Sequence, residues 1–159
     1  MFMDIIIEIP KGSHIKYEFD KNLNMLRVDR ILPNHMRYPF HYGYIPNTIA
    51  PDKDPYDVIL LSHHELVPDV VIHSRIIGCL VMEDEEGEDP KILMVPSEKV
   101  DPDWKDIQDI KDVPKYNLDR IEHFFKHYKD LEKHKFVNIK GWLNKKETLS
   151  IYPITNNSI

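Results

Sequence analysis

Short apolar or alternating runs cover the first two thirds of the chain, and they predict β-strands. The stretch 15–20 alternates at period two, which puts Tyr17 and Phe19 on the core side of a strand and Lys16 and Glu18 on the other. Similar runs predict strands at residues 5–9, 25–30, 58–61, 70–73, 76–82, 92–95 and 136–139, and an aromatic loop or irregular strand at 38–46. So many short strands are typical of a small barrel or sandwich.

The second half of the chain predicts two helices. Asp101 is a good N-cap before Pro102, so a short helix is expected to begin there and to end before Pro114. A longer helix is expected over roughly residues 115–132, because apolar side chains recur there at helical spacing. Those side chains are Leu118, Ile121, Phe124, Phe125, Tyr128 and Leu131. No element is predicted for the polar tail, residues 143–159.

Length and composition are those of one ordinary globular domain, residues 1–159, with 42% hydrophobic and 30% charged residues. The formal net charge of −6 argues against nucleic acid binding through a positive surface. Cys79 is the only cysteine, which excludes an internal disulfide and a cysteine-based zinc site and favours a reducing, cytoplasmic location. No stretch approaches about 18 apolar residues and no secretory signal precedes the first strand, so neither a membrane span nor a leader is expected.

Two acidic clusters flank an apolar predicted strand. The first holds Asp52, Asp54 and Asp57, and the second covers residues 83–89. If the apolar runs between them pair as strands, both clusters meet at one end of a sheet, where their carboxylates repel each other unless cations lie between them. We therefore expect a site for hard divalent cations, with Mg²⁺ as the natural candidate.

The same carboxylates suit phosphoryl transfer. The chain has none of the glycine patterns of dinucleotide-binding or triphosphate-binding loops, so metal ions and Lys, Arg and Tyr side chains would have to bind phosphate. Two Mg²⁺ ions ~3.5–4 Å apart can activate a water and neutralise a leaving oxygen. Asp52, Asp57 and Asp89 are candidate bridging ligands, and Asp54 could take the proton from a metal-bound water.

Other interpretations stay open on these residues alone. Acidic turns are usually solvated loops. His123 and His127 are four residues apart on the predicted helix, but without a third ligand they are better explained as a surface or subunit contact than as a zinc site. The rival functions are a barrel that binds nucleic acid or a phosphorylated ligand without chemistry, a Ca²⁺-binding structural protein, and a phosphatase with another substrate such as a nucleotide.

A series of motifs over residues 5–142 resembles, in its order along the chain, the soluble family I inorganic pyrophosphatases of the bacterial type. The motifs are Ile7-Glu8-Ile9-Pro10, Lys16-Tyr17-Glu18, Val28-Asp29-Arg30, the aromatic stretch 38–46, Asp52-x-Asp54-Pro55-x-Asp57, Asp84-x-x-Gly87-Glu88-Asp89-x-Lys91, the stretch 123–132 and Gly141-Trp142. The resemblance implies an α+β fold, a small OB-like closed β-barrel with α-helices packed outside.

The resemblance also implies an activity and a state of assembly. The expected reaction is Mg²⁺-dependent hydrolysis of inorganic pyrophosphate to two orthophosphates, by direct attack of a metal-bound water or hydroxide. Several Mg²⁺ ions would act in each site, and Mn²⁺ or Zn²⁺ could substitute for them. Bacterial-type relatives are usually hexamers, so a homohexamer is expected, without nucleic acid or membrane partners.

Residue by residue, the resemblance implies the following roles. Asp54 would be the general base, with Tyr42 close to the attacking water. The metal ligands would be Asp52, Asp57, Asp84 and Asp89, supported by Glu8 and Glu18. The substrate ligands would be Lys16, Arg30, Tyr42, Lys91, Tyr128 and Lys129, with Tyr38 and Lys135 as supporting contacts.

Three features depart from the family pattern. Lys53 stands where a small or turn-forming residue, often Gly, is usual, and a left-handed backbone there would cost a lysine ~1 kcal/mol. Tyr56 replaces an aliphatic residue or Phe. The tail after residue 143, with Pro153, Asn156 and Asn157, does not resemble the closing helix of the family.

Overall fold

Eight strands and two α-helices make up the part of the chain that the computed structural model describes, residues 1–155. The strands are β1 Phe2–Ile9, β2 Ile15–Asp20, β3 Met25–Ile31, β4 His41–Tyr44, β5 Asp57–Leu60, β6 Val71–Asp84, β7 Gly87–Pro96 and β8 Val137–Asn144. The α-helices are α1 Lys115–His127 and α2 Lys145–Ile151, and two 3₁₀ turns cover Pro102–Trp104 and Ile110–Asp112. The predicted α+β class is confirmed.

The main sheet is ring-like. Its strands follow the order β1-β4-β5-β7-β6-β8, and β6 also pairs with β1, so that five of the six strands return on themselves. The long strand β6 makes this closure possible, because its first residues pair with β1 while the rest pairs with β7 and β8. Strands β2 and β3 form a separate two-stranded hairpin.

Strand β5 is buried on both faces, which explains its uninterrupted apolar sequence. Ile59 belongs to the cluster that also contains the buried residues of α1, whereas Val58 and Leu60 belong to a second cluster on the other side. Beside β5, Gly43 of β4 lies so close to the carbonyl of Ile6 in β1 that a side chain there would collide with it. Strand β4 therefore lies in close contact with β1 at this position.

Helix α1 ends five residues earlier than predicted. Tyr128 is its C-cap, and residues 128–132 continue as turns in which the amides of Asp130 and Glu132 bond the carbonyls of His127 and Lys129. Leu131, predicted to widen the apolar stripe, is 66% exposed because it lies outside the helix. The short helix predicted at Asp101 is a 3₁₀ turn whose cap is as expected, with the Asp101 carboxylate accepting from the amide of Asp103 at 3.0 Å.

Two predicted strands, 70–73 and 76–82, form the single strand β6. The apolar pattern breaks at Ser74 and Arg75, yet both are buried. The Arg75 guanidinium donates to the carbonyl oxygens of Pro96, Trp104 and Ile107, and these bonds offset the cost of burying it. The apolar pattern therefore breaks at a buried arginine whose Nη1 and Nη2 bond backbone carbonyls, although the strand continues through it.

The tail, for which no element is predicted, contains the helix α2. Asn144 accepts from the amide of Glu147 at 2.8 Å, and the Glu147 carboxylate accepts from the amide of Asn144 at 3.0 Å. This reciprocal capping box begins α2 directly after β8. Asn156 and Asn157, which were also part of the prediction, lie outside the described residues. Within residues 1–155, no helix has the length and apolarity needed to cross a bilayer.

Lys53 has a left-handed backbone, with φ of 73°. A side chain in this region costs roughly 1–2 kcal/mol, while the extra freedom of glycine in the unfolded chain costs about 0.4–1 kcal/mol. We therefore expect Lys53→Gly to raise the free energy of unfolding by about 0.5 kcal/mol, measured by urea denaturation. Lys53→Ala keeps the Cβ and removes the ammonium, so an equal gain in that control would assign the effect to charge and contradict the conformational account.

Candidate functional site

One cavity of about 380 Å³ is lined by every residue that the sequence predicts for the site. They are Glu8, Lys16, Glu18, Arg30, Tyr42, Asp52, Asp54, Asp57, Asp84, Asp89, Lys91, Tyr128 and Lys129. The two predicted supporting residues, Tyr38 and Lys135, line the same cavity. Their roles are a separate question, but their convergence from seven strands, three loops and the end of α1 is a property of the fold.

The pairing of β5 with β7 brings the two acidic clusters together. These strands are parallel, and Asp57 at the start of β5 lies opposite Lys91 in β7. Strand β7 reaches this point directly after the tight turn that joins it to β6, in which Asp84 pairs with Gly87. The starts of two parallel strands lie at the same edge of a sheet, so the first acidic cluster meets the second there, as predicted.

Lys91 lies at the centre of this meeting point and is only 3% exposed. Its Nζ is 2.9 Å from Oδ2 of Asp57 and 2.9 Å from Oδ2 of Asp89, and it donates to the Tyr42 hydroxyl at 2.6 Å. Burial acts to lower the pKa of Lys91, but the attraction of Asp57 and Asp89 outweighs it and holds the pKa well above its ordinary value. The ammonium is therefore charged, and the two carboxylate oxygens are no further apart than twice 2.9 Å.

The other carboxylates of the cavity have too few cationic side chains around them to balance their negative charge. Burial, followed by repulsion from Asp57 and Glu18, raises the pKa of Glu8 to about 7, although its Oε2 accepts from the amide of Phe19 at 2.8 Å. Burial and then repulsion from the neighbouring aspartates raise the pKa of Asp52 as well. The cavity is lined by ten carboxylates against six lysine and arginine side chains. A site in which carboxylates are pushed toward their neutral forms gains stability when cations bind.

The lining fits a hard cation. Its candidate ligands are carboxylate oxygens, and neither histidine nor cysteine is among the lining residues. Among residues 1–155, however, only one group of three or more His, Cys, Asp or Glu side chains has ligand atoms that all lie within 4.8 Å of one another. That group is His64, Asp101 and Asp103, which lies outside the cavity. The cavity carboxylates are therefore more widely spaced, which suits an ion such as Mg²⁺ that keeps several of its waters.

The cationic side chains come from two other parts of the molecule. Lys16 and Arg30 face each other across the β2–β3 hairpin, and Lys129 follows the end of α1. Each is paired with an acid: Lys16 with Asp29 at 3.0 Å, Arg30 with Glu132 at 3.0 Å, and Lys129 with Asp84 at 3.2 Å and Glu85 at 3.3 Å. The cavity thus has an acidic wall on the main sheet and basic groups on the hairpin and at the helix end.

Three tyrosines of the cavity, Tyr38, Tyr42 and Tyr44, stay neutral. Burial, the largest cause, raises the pKa of Tyr42 far above 10 and also raises that of Tyr38. Tyr38 packs against Tyr42 and Phe124, with ring centroids 5.7 and 4.5 Å apart. The less buried Tyr44 has its pKa raised to about 12, again mainly by burial. Their hydroxyls can therefore donate and accept hydrogen bonds but cannot act as bases at neutral pH.

The alternation predicted for β2 is wrong in one respect. Tyr17 and Phe19 are half-buried and line the cavity together with Lys16 and Glu18, rather than turning away from it. The pairing of β2 with β3 shifts between Lys16 and Tyr17, and such a bulge breaks the period of two. The predicted core role of these aromatic residues is only partly met, although Tyr17 does pack against the core.

Sequence reasoning also missed several lining residues. They are Lys21, Asp29, Tyr44, Pro55, Glu85, Glu86 and Phe125. Asp29 and Glu85 could have been found as sequence neighbours of Arg30 and Asp84, and both bond predicted cationic ligands. His123 and His127 do not line the cavity; their rings lie 4.8 Å apart, and His127 bonds Asp130 at 2.7 Å.

Comparison with known proteins gives a consistent result. A family model described as inorganic pyrophosphatase matches residues 5–157. An inorganic pyrophosphatase of Sulfolobus acidocaldarius is 49% identical over 140 residues, covering 88% of this chain and 81% of its own. One from Rickettsia typhi is 51% identical over 144 residues, covering 90% of this chain and 81% of its own.

Solved structures are similar over almost the whole chain. An inorganic pyrophosphatase from Coxiella burnetii superposes with a TM-score of 0.92 at 44% identity, covering 96% of this chain and 91% of the other. The inorganic pyrophosphatase from Thermus thermophilus gives a TM-score of 0.90 at 44% identity, with coverage of 94% and 86%. Sequence and fold therefore agree on the same relatives.

The raised pKa of Glu8 predicts a pH-dependent stability in the presence of a chelator. The folded state binds the Glu8 proton more tightly than the unfolded state. The stability that this proton contributes is complete below pH 4.5 and is lost as the pH rises through about 7. Glu8→Gln keeps an acceptor for the Phe19 amide and cannot ionise. Between pH 5 and pH 8, we expect the unfolding free energy of the wild type to fall by up to about 3 kcal/mol relative to that of the variant.

Urea denaturation at the two pH values measures this difference, with Glu65→Gln, an exposed carboxyl outside the cavity, as the control substitution. An unchanged gap between Glu8→Gln and the wild type at pH 5 and pH 8 would show that Glu8 ionises normally.

Proposed function

This chain belongs to the inorganic pyrophosphatase family, and we propose that it hydrolyses pyrophosphate in the cavity described above with Mg²⁺ as its cofactor. It is an enzyme of that family, a hydrolase of pyrophosphate. The observation that carries the proposal is the single cavity in which an acidic wall faces lysine, arginine and tyrosine side chains. A free polyanion would be repelled by that wall, so substrate and cations have to bind together.

The acidic wall would hold the cations. Asp52, Asp57 and Asp89 would bind the first metal, and Asp84 and Asp89 would hold an ion that arrives with the substrate. Glu8 and Glu18 would support them through waters or a further ion. When bound, Mg²⁺ supplies positive charge that neutralises phosphate oxygens and makes the attacking water more acidic. The all-oxygen lining favours Mg²⁺, with Mn²⁺ or Zn²⁺ as substitutes.

Asp54 would be the general base. Its side chain is exposed at the cavity, and its own amide is fixed by a 3.0 Å bond to Oδ1 of Asp52. In the reaction, the water oxygen forms a bond to one phosphorus, the bond from that phosphorus to the bridging oxygen breaks, and the water proton passes to Asp54. Two orthophosphates result. Tyr42 is too deeply buried to ionise and would orient the water or a phosphate oxygen with its hydroxyl.

The basic groups would hold the substrate. Lys16 and Arg30 from the hairpin, and Tyr128 and Lys129 from the end of α1, would contact phosphate oxygens, with Lys135 in support. Lys91 would have two effects, because it fixes Asp57 and Asp89 while remaining at the cavity surface as a permanent positive charge. These assignments are supported by the acidic and basic side chains that line opposite sides of one cavity.

Three further features complete the proposal. The ring-like sheet would be an OB-like closed barrel with the helices outside it. The protein would form a homohexamer in the cytoplasm, and light scattering of the purified protein would measure the mass as about six times the 18.9 kDa of the chain. No nucleic acid or membrane partner is proposed.

Asp54→Asn tests the mechanism. Since a positioned general base typically contributes about 10²–10⁴-fold, we expect Mg²⁺-dependent phosphate release from pyrophosphate to fall by at least about 10²-fold, with an unchanged melting temperature. Asp106→Asn, which changes an exposed carboxyl outside the cavity, is the control and is expected to leave the rate unchanged.

The same colorimetric assay separates the rival functions. Release from pyrophosphate in Mg²⁺ and none with a chelator is expected, with much slower release from ATP and from a simple phosphate ester. Equal rates on all three substrates would favour a general phosphatase, and no release from any of them would favour a binding module. Near-normal turnover of Asp54→Asn would remove Asp54 from the role of base.

A further inference from the structure

The basic groups of the cavity belong to two parts of the molecule that are not in the same sheet. Lys16 and Arg30 are on the β2–β3 hairpin, which forms its own two-stranded sheet, while Tyr128 and Lys129 follow α1. Pyrophosphate has to be held by both parts at once, so their relative position sets the geometry of the substrate. A contact that ties the hairpin to the end of α1 is therefore of functional interest.

Among residues 1–155, one ion pair joins these two parts. Nη1 of Arg30 lies 3.0 Å from Oε1 of Glu132, in the turn that follows α1. The side chains are only 22% and 15% exposed. The amide of Glu132 bonds the carbonyl of Lys129, so the residue that holds Arg30 is itself fixed to a proposed phosphate ligand. A neutral bond from Asn34 to the carbonyl of Tyr128, at 3.2 Å, runs beside it.

The pair is poorly arranged for stability. Nε of Arg30 and Oε2 of Glu132 are both buried and have no hydrogen-bond partner among the described residues. Each such group costs about 1–3 kcal/mol, and a two-bond pairing of guanidinium and carboxylate would have avoided that cost. The ion pair joins only Nη1 and Oε1, and Arg30 lines the cavity whereas Glu132 does not.

We propose that Glu132 is a positioning residue, which holds Arg30 so that its guanidinium meets the phosphate oxygens that Tyr128 and Lys129 also contact. The proposal rests on the proposed function, because it takes pyrophosphate as the ligand of Arg30. Glu132 acts only through Arg30 and touches no reacting atom. Its Oε1 is the atom that meets the guanidinium, while a negative charge alone would weaken the binding of an anion.

A double-mutant cycle between Arg30 and Glu132 tests this. We expect Glu132→Ala to lower kcat/KM for pyrophosphate about tenfold, mainly through a higher KM, because the substrate ligand loses its orientation. In the Arg30→Ala background the same change should lower kcat/KM by less than about twofold, since no guanidinium remains to be positioned. Glu132→Gln, which keeps the acceptor oxygen and loses the charge, should stay within about threefold of the wild type.

Controls separate this proposal from its alternatives. Asp119→Ala removes an exposed ion pair with Lys115 on α1 and is expected to leave kcat/KM unchanged. Melting temperatures of all variants show whether they fold. If Glu132→Ala does not fold, Glu132→Gln gives a comparison that keeps the shape of the side chain.

An equal fold-loss in both backgrounds, an unchanged kcat/KM in Glu132→Ala, or a lower KM in both Glu132 variants would overturn the proposal. So would a wild-type kcat/KM in Arg30→Ala, although the proposed reaction would stand. If the wild-type protein releases no phosphate from pyrophosphate, the proposed function itself fails before any variant is compared.

Discussion

The ammonium of Lys91 lies between the carboxylates of Asp57 and Asp89, and the rest of the site depends on this contact. Asp57 begins β5 and Asp89 precedes Lys91 in β7, so the parallel pairing of these two strands is what brings the two acidic turns together. A buried lysine is tolerated there because it is paired twice and packs over the rings of Tyr42 and Phe125. One buried cation thus fixes the geometry of the acidic wall but leaves most of its negative charge uncompensated.

That residual charge connects the fold to its chemistry. Carboxylates whose pKa values are raised by burial and by each other bind protons or metal ions readily, and the phosphate groups of a substrate can enter only with such ions. Lys16 and Arg30 on the hairpin and Lys129 after α1 are each paired with an acid, which keeps these flexible side chains at fixed positions. The site is therefore pre-arranged on both sides before a ligand binds.

The sequence predicts the strands and the meeting of the acidic turns well, because both follow from local pattern and from the pairing of neighbouring apolar runs. It fails where a tertiary contact overrides the pattern. Arg75 interrupts the apolar run of β6, yet it is buried and its Nη1 and Nη2 donate to distant carbonyl groups. The bulge beside Lys16 turns Tyr17 toward the cavity, and nothing local marks it. The capping box of Asn144 and Glu147 is local and visible in the sequence, whereas the ion pair of Glu132 with Arg30 joins residues about a hundred positions apart.

Diffraction from crystals soaked in Mn²⁺, collected at the manganese absorption edge, measures the central claim directly. The account predicts anomalous peaks in the main cavity beside the carboxylates of Asp52, Asp57 and Asp89, with Lys91 still between the two strands. Peaks confined to His64, Asp101 and Asp103, or a cavity without any peak at saturating Mn²⁺, would contradict it.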